Sequence, residues 1–301
     1  MADWIDLLDP SEDELHAALP SAVEASALEL LLAPAKHADE PRPTLQGHGA
    51  YIFGVFLVAV AVPEEDRVYY QEIDVVATHE TLVTVSKTPP GEQAFDPRPA
   101  KEACRHDDNG GMMLYRLVDT VAEHYLDLID DVDAEIDELE DVVETAPPAT
   151  TRARISELRH DLLHIRRTLA PTRDAVRRVV DNVVEVEEGS EVFPHEVEIA
   201  FNSAYDKLLR AIDSLELSRD LIASVRDYSQ AKIANDQNEV MKRLTVVASL
   251  LLLPTFIVGL YGQNFVHIPE LHWHWGYWWA WGWIVGTTIG QLVFFKWKRW
   301  I

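Results

Sequence analysis

Cysteine is almost missing from this chain: Cys104 stands alone among 301 residues. One thiol excludes an intrachain disulfide and a cysteine zinc site, and it suits a reducing compartment. Basic residues are also scarce, with 26 Lys and Arg against 51 Asp and Glu and a formal net charge of −25. That balance argues against nucleic-acid binding, which needs a basic face. Broad adsorption to an anionic membrane surface is disfavoured for the same reason. No Gly-x4-Gly-Lys-Ser/Thr is present, which argues against ATP as an energy source. No His-Glu-x-x-His and no nucleophile–base pair stands out, so an enzyme is not expected. The chain opens Met1-Ala2-Asp3-Trp4 without a basic stretch leading into an apolar run. It therefore predicts no cleaved leader and a cytosolic N-terminal part.

The first 112 residues read as an α/β region. Asp9-Pro10-Ser11 with Glu12 and Glu14 looks like a helix start. Prolines at 10, 20, 34, 41 and 43 predict one or two short helices, then a loop near 33–48. The run 50–62 is β-branched and aromatic and ends at Pro63. At 13 residues it is too short to span a bilayer, so it predicts a buried strand. Residues 67–77 and 80–86 are two further strand candidates, with Thr78-His79-Glu80 as their turn.

From 113 to 193 the period becomes helical. Val118, Val121, Tyr125, Leu128, Val132, Ile136, Leu139 and Val143 form one apolar stripe. Residues 117–144 carry twelve Asp or Glu and no Lys or Arg. Pro147-Pro148 ends that helix. A second, arginine-rich helix is expected over 151–188, with Pro171 as a kink point, and Gly189-Ser190 as its break. An acidic helix followed by a basic one predicts an antiparallel pair that matches charges across its edges. A third helix starts near Pro194 and meets no breaker before Pro254. Its stalk, 194–243, runs straight into the apolar segment that follows. About 65 residues would make a rod on the order of 100 Å long.

Two long uncharged segments follow, 244–261 with 18 residues and 277–295 with 19. Each matches a hydrocarbon core of about 30 Å. Lys242 and Arg243 precede the first; Lys296, Lys298 and Arg299 follow the second; the intervening loop 262–276 has neither Lys nor Arg. Basic flanks face the cytosol, so both termini are expected there and the loop outside. Trp273, Trp275, Trp278, Trp279, Trp281 and Trp283 crowd the outer end, and Trp297 and Trp300 the inner one, as interfacial belts do. Two helices cannot enclose a water-filled path, so a channel would need several copies around an axis. Asn238, Met241, Thr245, Ala248, Leu252, Thr255 and Gly259 recur at helical spacing in the first segment. This face reads equally as a pore lining with an apolar gate or as a small-residue packing face.

Tyr261-Gly262-Gln263-Asn264-Phe265 closes the first span. Pro269-Glu270-Leu271, Trp273, Trp275-Gly276-Tyr277, a second span and a basic tail come after it. With Asn238-Glu239-Val240-Met241-Lys242-Arg243-Leu244-Thr245 upstream, these segments resemble the CorA family of magnesium channels. The resemblance is strong over about 225–301, moderate over the acidic–basic pair and weak before residue 110. It implies an α+β cytosolic domain, a long helical stalk and two transmembrane helices, assembled as a homopentameric funnel. It also implies passive Mg2+ uptake across a prokaryotic cell (inner) membrane, with cytosolic Mg2+ closing the gate. Gly262, Gln263 and Asn264 would form the selectivity motif, with the Asn264 amide facing the hydrated ion and Glu270 drawing cations to the mouth. Asp227, and among Asp130, Asp131, Asp133, Asp137 and Asp141 one or two residues, would serve regulatory Mg2+ sites. The others would form a solvated face.

One residue departs from the pattern. The family's usual tripeptide is Gly-Met-Asn, and Gln263 takes the middle place here. ZntB-like zinc transporters also vary there, with Gly-Ile-Asn. His267, His272 and His274 suit Zn2+, Co2+ or Ni2+ better than Mg2+, or serve as polar residues of the interface. A ZntB-like transporter, with or without proton coupling, is thus the alternative.

Overall fold

The computed structural model describes residues 2–34, 41–62, 67–92, 94–184, 192–263 and 268–300. They fall into two compact units, Met1–Arg226 and Asp227–Ile301, with one long helix contributing to both.

The first unit is built on a five-stranded sheet. Its strands are β1 (Asp3–Leu8), β2 (Thr44–Gly47), β3 (Ile52–Val62), β4 (Arg67–Ala77) and β5 (Thr81–Lys87). The order is β1-β5-β4-β3-β2; β1 pairs parallel with β5 and all other pairs are antiparallel. The three strands expected from composition are β3, β4 and β5. Thr78 closes the β4–β5 turn, taking a hydrogen bond on its Oγ1 from the Thr81 amide at 3.0 Å. Both edge strands, β1 and β2, were not anticipated. β2 lies inside the stretch expected to be a loop.

Side chains alternate across the sheet, so each face has its own cover. On one face lie α1 (Glu12–Ala18) and α2 (Ala25–Leu32), closing over Tyr51, Phe53, Val76, Val83 and Val85. Ser11 starts α1 at the expected place, and it does so with a capping box, its hydroxyl and amide both bonding Glu14. The other face carries the main core. There α3 (Arg98–Glu102), α4 (Gly110–Val142), α5 (Pro148–Val180) and the first part of α6 (His195–Tyr261) share one cluster with Phe56, Ile73, Val75 and Leu82. Tyr125 of α4 is fully buried, and its hydroxyl donates to the Leu57 carbonyl at 3.1 Å.

The start of α4 is a tight junction. The Asn109 side chain accepts from the Met112 amide at 2.8 Å, a regular N-cap. Gly110 and Gly111 follow because nothing larger fits. A Cβ at 110 would lie 2.1 Å from the Thr78 carbonyl oxygen, and one at 111 would lie 2.0 Å from that of Val192.

The arginine-rich α5 stops at Val180, short of the expected 188. Asn182 adopts a left-handed φ of 53°. The Val183 amide then reaches the Arg178 carbonyl at 2.9 Å and the Asn182 amide that of Val179 at 3.0 Å. This Schellman stop satisfies the last carbonyls before Gly189-Ser190, which lie outside the described residues. α5 passes Pro171 as one continuous helix. Charge matching between α4 and α5 includes Arg154 to Glu135 at 2.7 Å. Helix α6 joins in, with Lys207 at 2.7 Å from both Asp119 and Glu123, and Arg166 at 3.3 Å from Glu216.

A charged cluster is buried under α2. Lys87 is 5% exposed and lies 2.5 Å from Glu72 Oε1, 2.6 Å from Asp74 Oδ2 and 2.8 Å from the Leu30 carbonyl. Burial pushes the Asp74 carboxyl up to about 7; Lys87 opposes that rise and Glu72 adds to it.

Candidate functional site

The second unit holds the end of α6, a short 3-10 turn (Pro269–His272) and α7 (Gly276–Trp297). Among the described residues, α6 is the one helix long and apolar enough to cross a membrane by length and composition. The 22-residue α7 runs uncharged from Gly276 to Phe295, about 30 Å at 1.5 Å per residue. Its tryptophans, tyrosine and glycines lower its mean hydropathy, although such rings suit a bilayer interface.

Burial locates the seam between the two helices. On α7, Gly276, Ala280, Ile284, Thr287, Thr288, Gln291 and Phe295 are buried or half-buried, at steps of three or four. On α6 the matching stripe is Val246, Ser249, Leu250, Pro254, Ile257 and Tyr261. Gln291 Nε2 donates to the Ser249 carbonyl at 3.1 Å, which fixes the register between them. Such interhelical polar contacts hold spans together where water is absent.

The stripe expected to line a pore is on the other side of α6. Asn238, Met241, Thr245, Ala248, Leu252, Thr255 and Gly259 are all exposed in the single chain. Thr245 and Thr255 turn their hydroxyls onto the carbonyls of Met241 and Leu251, at 2.8 and 2.6 Å. Their polar groups are thereby satisfied within the helix. A Cβ at Gly259 would meet nothing within 4 Å.

The helix ends at the motif. The Gly262 amide bonds the Val258 carbonyl at 2.9 Å, and Gly262 and Gln263 are exposed. Asn264 and His267 lie outside the described residues. His272 and His274 are exposed beside the 3-10 turn, and Glu270 is half-buried. The Glu270 carbonyl sits where a Cβ on Gly276 would fall, 2.0 Å away, so the turn packs hard against the first residue of α7. Trp273 and Trp279 meet edge-on at 6.3 Å, as do Trp279 and Trp283 at 6.1 Å. At the far end Lys298 stands 5.2 Å over the Trp297 ring.

Of the acidic candidates, Asp130, Asp131, Asp137 and Asp141 are exposed along α4, and Asp227 is exposed on α6. Asp133 is half-buried and accepts from the Ser218 hydroxyl at 2.5 Å, which gives it a packing role between α4 and α6. Among the described residues, no three His, Cys, Asp or Glu side chains converge to hold a metal within one chain. The seam residue Gln291 was not anticipated. A lone amide in an apolar run is a signal for it.

An α/β domain whose last helix continues as an exposed, uncharged segment, followed by an aromatic-rich apolar helix, defines a membrane protein with a large soluble domain. The chain belongs to the CorA family: residues 2–299 match the family described as CorA-like Mg2+ transporter protein. It is similar to the cobalt/magnesium transport protein CorA of Thermotoga maritima, 33% identical over 189 residues, covering 63% of this chain and 52% of that protein. It is also similar to the zinc transport protein ZntB of Yersinia enterocolitica, at 26% identity over 64% of this chain and 57% of the relative. The matched stretch thus spans little more than half the length of these relatives. The fold is that of the CorA magnesium transporter from Methanocaldococcus jannaschii, with a TM-score of 0.79 at 20% identity, covering 99% of this chain and 91% of that one. The family is one of transporters and not of enzymes.

Proposed function

We propose that the chain is one subunit of a homopentameric divalent-cation channel that passes Mg2+ passively into the cell. The observation that carries this reading is the exposed α6 stripe from Asn238 to Gly259, set opposite the seam with α7. A hairpin that leaves a small and polar stripe uncovered has a face to give to an axis shared with other copies. In this reading α6 from Leu244 and α7 both cross the bilayer of a prokaryotic cell (inner) membrane. Both termini stay cytosolic, because the basic flanks lie at one end of each span. Gly262-Gln263-Asn264 then stands at the outer mouth, with Glu270 nearby.

Amide oxygens suit this ion. Mg2+ gives up its water reluctantly, so a ring of neutral amides can hydrogen-bond the hydrated ion and release it again. The membrane potential supplies about 2.3 kcal/mol per charge per 100 mV, and about twice that for a divalent ion. Leu252 is the apolar position in the stripe that would close the path by excluding water. Cytosolic Mg2+ acts as the closing ligand, through acids such as Asp227 that several copies bring together.

The test is Mg2+ flux into liposomes under an imposed potential. Wild-type protein should conduct, and Asn264→Ala should lose at least tenfold while keeping its assembled size. Equal flux in the two proteins, or none in either, would sink the reading. A Zn2+ transporter is the second reading, motivated by exposed His272 and His274, His267 and Gln263. Replacing the three histidines together should then abolish Zn2+, Co2+ and Ni2+ flux while sparing Mg2+.

A further inference from the structure

Helix α5 carries cations that no acid among the described residues pairs with. Arg152, Arg159, Arg167 and Arg178 are exposed, on the side of α5 opposite its buried stripe, and have no acidic partner among the described residues. In a protein with net charge −25, four unpaired arginines on one helix face call for a reason. Exposed Leu163, at 44%, stands among them.

Helix α4 presents the complementary pattern. Asp127, Asp131, Glu138 and Asp141 are exposed on the side away from the core, with no lysine or arginine partner among the described residues. Small Ala134 and exposed Val142 stand in the same stripe. Both faces run several turns, and the chain's internal pairs use other residues, such as Arg154 with Glu135.

We propose that the outer face of α5 docks on the outer face of α4 in the next copy of the same chain. The contact is heterologous, basic face to acidic face, with Leu163 as its apolar centre. Repeated around an axis it closes a ring. It also answers a physical need, since assembling highly anionic copies is opposed by their mutual repulsion. The proposal rests on the oligomer of the preceding section and identifies a surface that joins it. An anionic lipid surface is the competing partner for the arginines, but it leaves the matching acidic stripe without a role.

Charge reversal with rescue between copies tests this. The full chain is purified in detergent as R152E/R159E/R167E, as D131K/E138K/D141K, and from cells making both variants under different tags. Native mass spectrometry reads the oligomer, and circular dichroism checks the helices. Each variant alone should lower the assembled-to-monomer ratio about tenfold, given a few tenths to one kcal/mol per exposed pair. Co-production should raise assemblies carrying both tags well above the level of either variant alone, because up to about four of the five contacts in a mixed pentamer then join opposite charges. Repair within one chain cannot produce that result. Wild-type-like assembly of either variant alone would overturn the proposal. Loss in the arginine variant only, without rescue, would overturn it in favour of lipid. A monomeric wild type would instead remove the oligomer itself, a separate failure.

Discussion

The two units solve opposite problems with the same kinds of residue. In the first, Tyr125, Phe56 and Phe201 are buried completely, and even the charged Lys87 is enclosed with its partners. In the second, Leu251, Leu252 and Phe256 are each at least 65% exposed, and Val246 and Phe295 are rare buried side chains. A water-soluble domain could not tolerate such an apolar surface. The difference is one of solvent: the first unit is finished by its own packing, and the second leaves an apolar surface for lipid and, in the proposed oligomer, for other copies.

The largest expected effect lies in the first unit. Lys87→Met strands two carboxylates under α2 and should cost about 3–5 kcal/mol, read by denaturant unfolding of that unit in the full chain. If the loss stayed below 1 kcal/mol, the cluster would be wetter than the structure implies.

Asp74 gives a pH signature at the same place. Its carboxyl is raised from 3.8 to about 7 in the fold, chiefly by burial. Between those values the folded chain holds a proton that the unfolded chain has lost. Its contribution to stability therefore falls as pH rises from about 4 to about 7, by up to about 1.4 kcal/mol per pH unit, and is flat above. Asp74→Asn should remove that slope from the difference curve; an unchanged slope would mean that another group carries it.

A matched pair compares the solvents directly. Leu251 and Leu217 lie on the same helix and are 65% and 58% exposed. Leu217→Lys should cost nothing beyond about 0.5 kcal/mol. Leu251→Lys should cost about 2.5–3.5 kcal/mol in a membrane-insertion assay. Equal tolerance at both sites would put the α6 end in water. The smallest effect expected is Gln291→Leu, which removes the bond to Ser249 and should cost about 0.6 kcal/mol in thermal unfolding of the full chain in lipid.

What could be read in advance follows a physical division. β3, β4 and the helical stripes declare themselves through local periodicity and composition. β1 and β2 do not, because each is a sheet edge held by a distant or short partner. Asp3 pairs with Thr81 across the whole first subdomain, and the acids of Asp3–Leu8 hide its pattern. The end of α5 was legible in principle, since Asn182 is a residue that tolerates the left-handed turn. For the candidate site, the α6 stripe could be read from spacing alone. Which of its faces α7 covers could not, because that depends on where Gln291 meets Ser249.

The glycine pair at the start of α4 has a kinetic consequence. Gly110 sits on the β4–β5 turn, and Gly111 on the bend at Val192 that leads into α6. The Gly110 amide also bonds the His79 carbonyl at 3.0 Å, and the Asn109 side chain reaches Val192 at 3.3 Å. Three segments far apart in the chain therefore open together or not at all. Amide hydrogen exchange at the turn, at the first turn of α4 and at residue 192 should share one opening free energy. Any added side chain at Gly111 would raise all three rates as a unit.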